Sequence, residues 1–204
     1  MITNPPPVEF LILYGWQGSG PDHWQSHLAR DLAATGARVH YPDFPAPELP
    51  TRAAWLPRLR EVLAECGDPQ QLTVVTHSLG GLLWLWAVRE KIAPAVKHLI
   101  LVAPPSPASR TAEIQDFLPA PADPSFPLAR QLDLIVSDND PYVPLADSIH
   151  YAQTLNARLG LLPGAGHLNT IAGYGRWFWL QDYLTGVAAW PPQPSPAARA
   201  LPSA

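Results

Sequence analysis

Thr73-Val74-Val75-Thr76-His77-Ser78-Leu79-Gly80-Gly81 is an apolar run that stops at a serine, turns through glycines and resumes as a longer apolar run, Leu82-Leu83-Trp84-Leu85-Trp86-Ala87-Val88. Before the serine, nothing alternates polar with apolar through Val74 and Val75, which is the pattern of a strand buried on both faces. The run after it is apolar nearly all round, as expected for a helix enclosed in a layered domain. Trp84 and Trp86 are therefore candidates for the core. The stretch reads as strand, sharp turn and helix with Ser78 at the apex, and the other segments are built around it.

Working outward, residues 8–14 and 97–103 are apolar runs of the same buried type, 132–137 is a further strand, and 37–41 and 158–162 are shorter ones. Helices are predicted from Pro21 and Asp22 through about Thr35, with Gly36 as the stop, and over 144–156 and 174–187. Another follows the stripe Trp55, Leu59, Val62 and Leu63 to about Cys66, and Pro57 must lie in its first turn or kink it. Strands alternating with helices define an α/β fold, a three-layer αβα arrangement with a mostly parallel sheet of about six strands. The connection 104–127 is dense in Pro, Ala and Ser, and its length points to a lid or pocket wall. Residues 1–7 read as a flexible N-terminus and 8–187 as one domain. The Pro/Ala-rich tail 188–204 is predicted to be disordered.

Composition narrows the function. A chain of 204 residues buries roughly 70% of its unfolded surface, so a substantial core is available. Net charge is −4 and no basic run stands out, which argues against a nucleic-acid partner. Cys66 is the only cysteine, which rules out an internal disulfide and a thiolate pair for zinc or redox chemistry and favours a reducing compartment. The first residues lack the basic and apolar regions of a signal peptide, and no apolar stretch approaches the ~20 residues of a membrane span. These features predict a cytoplasmic protein with no membrane partner, no metal and no cofactor.

A serine hydroxyl becomes a useful nucleophile when a general base takes its proton and an acid fixes the base's tautomer. Downstream of Ser78 stand His98, His150 and His167. His98 falls at the start of a strand, away from the turn, and His150 falls inside a helix. His167 follows Gly164-Ala165-Gly166 after the last short strand, at the sheet edge where ligands bind. His77, adjacent to Ser78, points away from it and reads as a packing or hydrogen-bonding residue. For the acid, Ser137-Asp138-Asn139-Asp140-Pro141-Tyr142-Val143-Pro144 offers two carboxylates. Asp140 is the first choice, with Pro141 and Pro144 restraining its turn, while Asp138 suits an Asx-type bond and is the fallback. The order Ser78, Asp140, His167 is that of a nucleophile elbow and its partners. Two oxyanion donors are needed. The backbone N–H of Leu79 is one, and that of Trp16 the other, with Gln17 as the alternative. Gly15-x-x-Gly18-x-Gly20 lacks the G-x-G-x-x-G spacing of a dinucleotide site.

Gly15-Trp16-Gln17-Gly18-Ser19-Gly20-Pro21-Asp22-His23-Trp24-Gln25, Thr76-His77-Ser78-Leu79-Gly80, the segment 137–144 and Gly164-Ala165-Gly166-His167 together resemble a small α/β-hydrolase family. It comprises the serine hydrolases that include retinoblastoma-binding protein nine and bacterial YdeN-like proteins, and the resemblance covers roughly residues 8–187. It implies a compact fold, a catalytic triad at Ser78, Asp140 and His167, and esterase-like activity. Two departures stand out. The L-x-C-x-E motif for binding retinoblastoma protein is absent, the nearest text being Leu63-Ala64-Glu65-Cys66-Gly67. Thr76 occupies the first Gly position of G-x-S-x-G, which leaves the tightness of the turn as the open point. His23, Trp24 and Gln25 either pack against the oxyanion loop or line the pocket, and Gln17 and Trp24 are the candidate substrate-binding residues.

The reading that results is a serine hydrolase, carboxylesterase-like (EC 3.1), acting on a small-molecule ester through an acyl-enzyme. Its rival is a hydrolase-fold protein of little activity that binds a protein partner, of unknown identity, through the 104–127 segment or the tail.

Overall fold

Leu11 and Leu13 of strand β1 (Glu9–Leu13) project into one hydrophobic core while Phe10 and Ile12 project into a second, because successive side chains of a strand face opposite ways. The same division runs through β3 (Leu72–His77), where Leu72 and Val74 join the first core and Val75 the second, and through β4 (Val96–Val102) and β5 (Ala129–Ser137). Burial on both faces explains why residues 10–13, 74–75, 99–102 and 134–136 of these strands are continuous apolar runs. The structure, a computed structural model, describes residues 8–121 and 127–195. With β2 (Arg38–His40) and β6 (Arg158–Leu162), the strands form one sheet in the order β2-β1-β3-β4-β5-β6, every neighbouring pair parallel. Helices α2 (Arg52–Glu65), α3 (Leu79–Arg89) and α4 (Leu145–Thr154) cover one face, and α1 (Trp24–Ala34) and α5 (Phe178–Leu184) cover the other. This is the three-layer α/β architecture that the alternation of strands and helices predicts.

The strand order places the functional end of the molecule. From β1 the chain goes outward to β2, then returns to the other side of β1 and builds the sheet away from it. The carboxyl ends of β1 and β3 therefore flank the point where the order reverses, where open α/β sheets leave a crevice for ligands. The loop after β1 and the turn at Ser78 both emerge there.

Several elements differ from the sequence reading for local reasons. The first helix starts at Trp24 rather than at Pro21, because the His23 amide closes a turn onto Gly20 and the His23 ring accepts the Gln25 amide as an N-cap. Pro57 sits in the second turn of α2, not the first. Segment 104–121 is ordered wall rather than open connection. It contains a 3-10 helix (Ala112–Phe117) whose Ile114 and Phe117 are buried, and Trp86 Nε1 donates to the Phe117 carbonyl. At its start, Ser106 hydrogen-bonds Asp147 of α4 and Tyr151 donates to the Pro105 carbonyl. Residues 188–195 of the tail, predicted to be disordered, pack instead. Trp190 and Pro192 fill the space a Cβ would take at Gly160, and Trp177 Nε1 donates to the Gln193 carbonyl. The apolar rings of Trp179, Tyr183 and Trp190 supply the packing that a count of prolines conceals. The expectations for residues 1–7, 122–126 and 196–204 lie outside the described residues. No helix among the described residues is long and apolar enough to cross a membrane.

Away from the crevice, the fully buried Asp133 of β5 accepts hydrogen bonds from His98 Nε2 (2.7 Å), Arg158 Nε (2.9 Å) and Tyr183 OH (2.6 Å). Burial raises its pKa, but these donors outweigh that effect and bring it from 3.8 down to about 2. Arg158 in turn stacks on Trp190, 4.2 Å from the ring centre, which ties β6 and the tail to the same carboxylate. A depressed pKa means that the folded state favours the ionised form. The stabilisation is therefore present above about pH 4 and is lost as pH falls toward 2, amounting to about 2 kcal/mol. The stability advantage of the native protein over Asp133→Asn should shrink by this amount between pH 6 and pH 2 in urea titrations. An advantage independent of pH contradicts the assignment.

Candidate active site

Ser78 links β3 to α3 with φ 51° and ψ −125°, a backbone conformation that L residues rarely adopt. Three close contacts hold it there. The Ser78 amide donates to the Val102 carbonyl at 2.9 Å, which fixes the turn to the end of β4. Gly80 lies so near β1 that a Cβ would fall 2.5 Å from the Leu13 oxygen and 2.6 Å from that of Tyr14. Gly15 lies against the other side, where a Cβ would be 2.8 Å from Ser78 Cβ and 3.3 Å from the Leu79 nitrogen. Thr76 does not prevent the turn from closing. It is fully buried, its hydroxyl reaches the Ile100 carbonyl at 3.3 Å, and Gly81 leaves room beside it.

The turn presents Ser78 Oγ 3.0 Å from His167 Nε2, and His167 Nδ1 lies 2.8 Å from Asp140 Oδ2. The Nδ1–H donates to the carboxylate, which leaves Nε2 free to accept the serine proton. Asp140 is held by the Tyr142 amide on its other oxygen at 2.9 Å, and the Tyr142 ring packs edge-on against His167. Ser78, Asp140 and His167, read from three separate stretches of sequence, thus meet at one point.

The loop that carries His167 is fastened to the loop that carries Asp140 by consecutive hydrogen bonds. The amides of Gly164, Ala165 and Gly166 donate to Asp138 Oδ1, Ser137 Oγ and Asn139 Oδ1, at 2.7, 2.9 and 2.7 Å. Asp138 is therefore a brace, and Asp140 is the carboxylate that meets the histidine. The sequence reading missed Ser137 and Asn139. The available signal was four successive acceptor side chains, 137–140, facing a Gly-Ala-Gly segment whose amides need partners.

Two further histidines surround His167. His77 Nε2 donates to the His167 carbonyl at 2.9 Å, and the rings of His23 and His77 follow one another at 5.0 Å, as do those of His77 and His167. Burial holds His77 well below its usual pKa, reinforced by His167 and His23, and burial with His167 takes His23 to about 4. Both rings are neutral near pH 7. Gln25 braces the loop after β1 by donating to the Leu13 carbonyl and accepting from Ser19 Oγ.

The cleft beside Ser78 has a volume of 160 Å3, with Trp16 and Gln17 on one side and Ile114, Tyr142 and Ile171 among its other walls. Gln17 is thus among the cleft's lining residues, and its amide is engaged by the Pro47 carbonyl at 2.9 Å, which leaves Trp16 as the oxyanion candidate of the two. Trp24 does not line the cleft. It is buried in the core beneath it, where its indole N–H donates to the Leu168 carbonyl at 2.8 Å and supports the His167 loop from below. His23, its neighbour, lines the cleft instead. Among the described residues, one group has metal-ligating atoms close together: Glu9, His40 and Cys66, at the opposite edge of the sheet. Glu9 already accepts from His40 and from the Gly67 amide there, with Arg38 Nε 3.5 Å away.

A parallel sheet with a strained serine turn at its switch point, and a histidine and an aspartate delivered by later loops, defines the α/β-hydrolase class. The chain belongs to the Serine hydrolase family, whose sequence profile matches residues 10–186. Its fold is similar to that of the ydeN gene product from B. subtilis, at 25% identity over 88% of this chain and 97% of that one, with a TM-score of 0.74. A putative YdeN-like hydrolase from Pectobacterium atrosepticum superposes equally well, with a TM-score of 0.74, 24% identity and coverage of 89% and 90%. Est1E from Butyrivibrio proteoclasticus shares the fold at 18% identity, with a TM-score of 0.60 and 90% of each chain covered. No curated protein matches the chain in sequence.

Gly80 provides a test of the turn. Exchanging Gly for Ala inside a helix ordinarily stabilises by about 0.5–1 kcal/mol, but here the added methyl meets the backbone of β1. Gly80→Ala should lower the unfolding free energy by about 1–3 kcal/mol. A neutral or stabilising result in chemical denaturation contradicts the close approach.

Proposed function

We propose that the protein cleaves small carboxylic esters by nucleophilic catalysis at Ser78. The observation that carries this reading is the unbroken hydrogen-bonded series from Ser78 Oγ through His167 to Asp140, set on a turn held in a strained conformation. His167 Nε2 takes the serine proton as Oγ bonds to the ester carbonyl carbon, and the carbonyl π electrons move onto oxygen. The N–H of Leu79, at the start of α3, and the N–H of Trp16 receive that oxyanion, and the helix dipole favours the negative charge. The absence of a side chain at Gly15 supports this pairing, because it lets the loop after β1 lie directly against the Leu79 amide. Collapse of the intermediate expels the alkoxide, which takes the proton from His167 and leaves an acyl group on Ser78. Water activated by the same imidazole then releases the acid. Asp140 stays ionised throughout, orienting the ring and stabilising the imidazolium. The single, half-buried cysteine is consistent with a cytoplasmic setting for this chemistry.

Ser78→Ala should lower turnover of a chromogenic short-chain ester at least about a thousandfold, and Asp140→Asn by roughly 10^3 to 10^4. Asp138→Ala should cost far less, since that carboxylate holds a loop amide and does not touch His167. If the Asp138 variant proves the more impaired and Asp140→Asn stays active, the acid has been misassigned. Undiminished activity of Ser78→Ala removes the serine from the mechanism.

A further inference from the structure

The cleft bears a chemical signature beyond its three reacting residues. None of the described residues that line it is Asp, Glu, Lys or Arg. The histidines on its wall other than His167 are neutral near pH 7, as burial holds both His23 and His77 below their usual range. Its polar groups are uncharged: Ser109 and Thr111, which hydrogen-bond each other at 3.3 Å, and Asn169, whose side-chain oxygen accepts the Ala172 amide. Ile114, 5% exposed, gives the cleft a buried apolar wall from the 3-10 helix, whereas Ile171, 91% exposed, lines it on the solvent side. The wall carrying Ile114 is pinned from behind, with Asp116 accepting the Arg52 amide at 2.6 Å and Trp86 holding the Phe117 carbonyl. The 160 Å3 within is close to a cavity of about 150 Å3 that accommodates benzene, or about six non-hydrogen atoms.

Resting on the reading of Ser78 as nucleophile, we propose that the substrates are neutral esters with a short acyl chain, and that the cleft discriminates against both long and charged acyl groups. A charged acyl group entering this space gives up water and finds no counter-ion, which is unfavourable unless the charge is paired. A long chain meets Ile114 and must turn back toward solvent. Ile114 is thus the residue that limits chain length, while the absence of a charged side chain among the described wall residues sets the charge preference.

The test compares p-nitrophenyl esters of acetate, butyrate and octanoate, together with the mono-p-nitrophenyl ester of succinate and its methyl-capped neutral counterpart, using the full chain and Ser78→Ala as background. The proposal expects kcat/KM for butyrate at least tenfold above that for octanoate, and the capped succinate at least tenfold above the free carboxylate. Ile114→Ala should raise the octanoate-to-butyrate ratio at least fivefold, with fluorophosphonate labelling used to show that the variant is folded. Ser78-dependent turnover with octanoate or free succinate preferred overturns the proposal and leaves the serine mechanism standing. No turnover of any ester, with Ser78 unlabelled, overturns both.

Discussion

Ser78 occupies a backbone conformation that costs of order 1–3 kcal/mol and persists only where its surroundings over-determine it. Here those surroundings are two glycines and one carbonyl. Gly80 admits the β1 backbone, Gly15 admits the following loop, and the Val102 carbonyl takes the Ser78 amide. The same contacts that strain the turn bring the loop after β1 against the start of α3. The strain and the two candidate oxyanion donors therefore have a common physical origin. The rest of the site is arranged around this fixed point.

What surrounds the point is bracing rather than further chemistry. Three successive loop amides are held by 137–139, and the carbonyl of His167 is held by His77. Trp24 supports the same loop through Leu168, and Gln25 secures the loop after β1. The bonds made by Ala165, His77, Trp24 and Gln25 are buried, where an unsatisfied polar group is costly and an alternative geometry correspondingly unfavourable, while those of Gly164 and Gly166 lie at the exposed side of the loop. His167 is carried by a loop with glycines at two positions of positive φ, and it depends on this framework for its place. The wall 104–121 is anchored to both α2 and α4, so the cleft is bounded by fixed elements on that side as well.

The fold was legible because burial on both faces leaves an unmistakable pattern: continuous apolar strands separated by helices of the right length. Ser78, Asp140 and His167 were legible because their order along the chain and their positions after strands are imposed by the topology. Thr76 was misleading only in appearance, since the room that a first glycine provides comes here from Gly81 across the turn. Other features depended on contacts far apart in sequence. Trp24 looked like a pocket residue, yet its indole finds its partner at Leu168, and His23 takes the wall. The tail looked disordered because prolines dominate its composition. The packing of its residues 188–195 comes from three aromatic rings and the bare surface of Gly160, none of which a local reading weighs.

The central claim is that Ser78 forms the covalent bond to the substrate and that His167 makes it reactive. Intact-protein mass spectrometry after brief exposure to a fluorophosphonate, followed by peptide mapping, addresses it directly. The account predicts a single adduct on Ser78, absent from Ser78→Ala and slowed by at least a hundredfold in His167→Ala. An adduct on another residue, or labelling of Ser78 at an unchanged rate without His167, would contradict it.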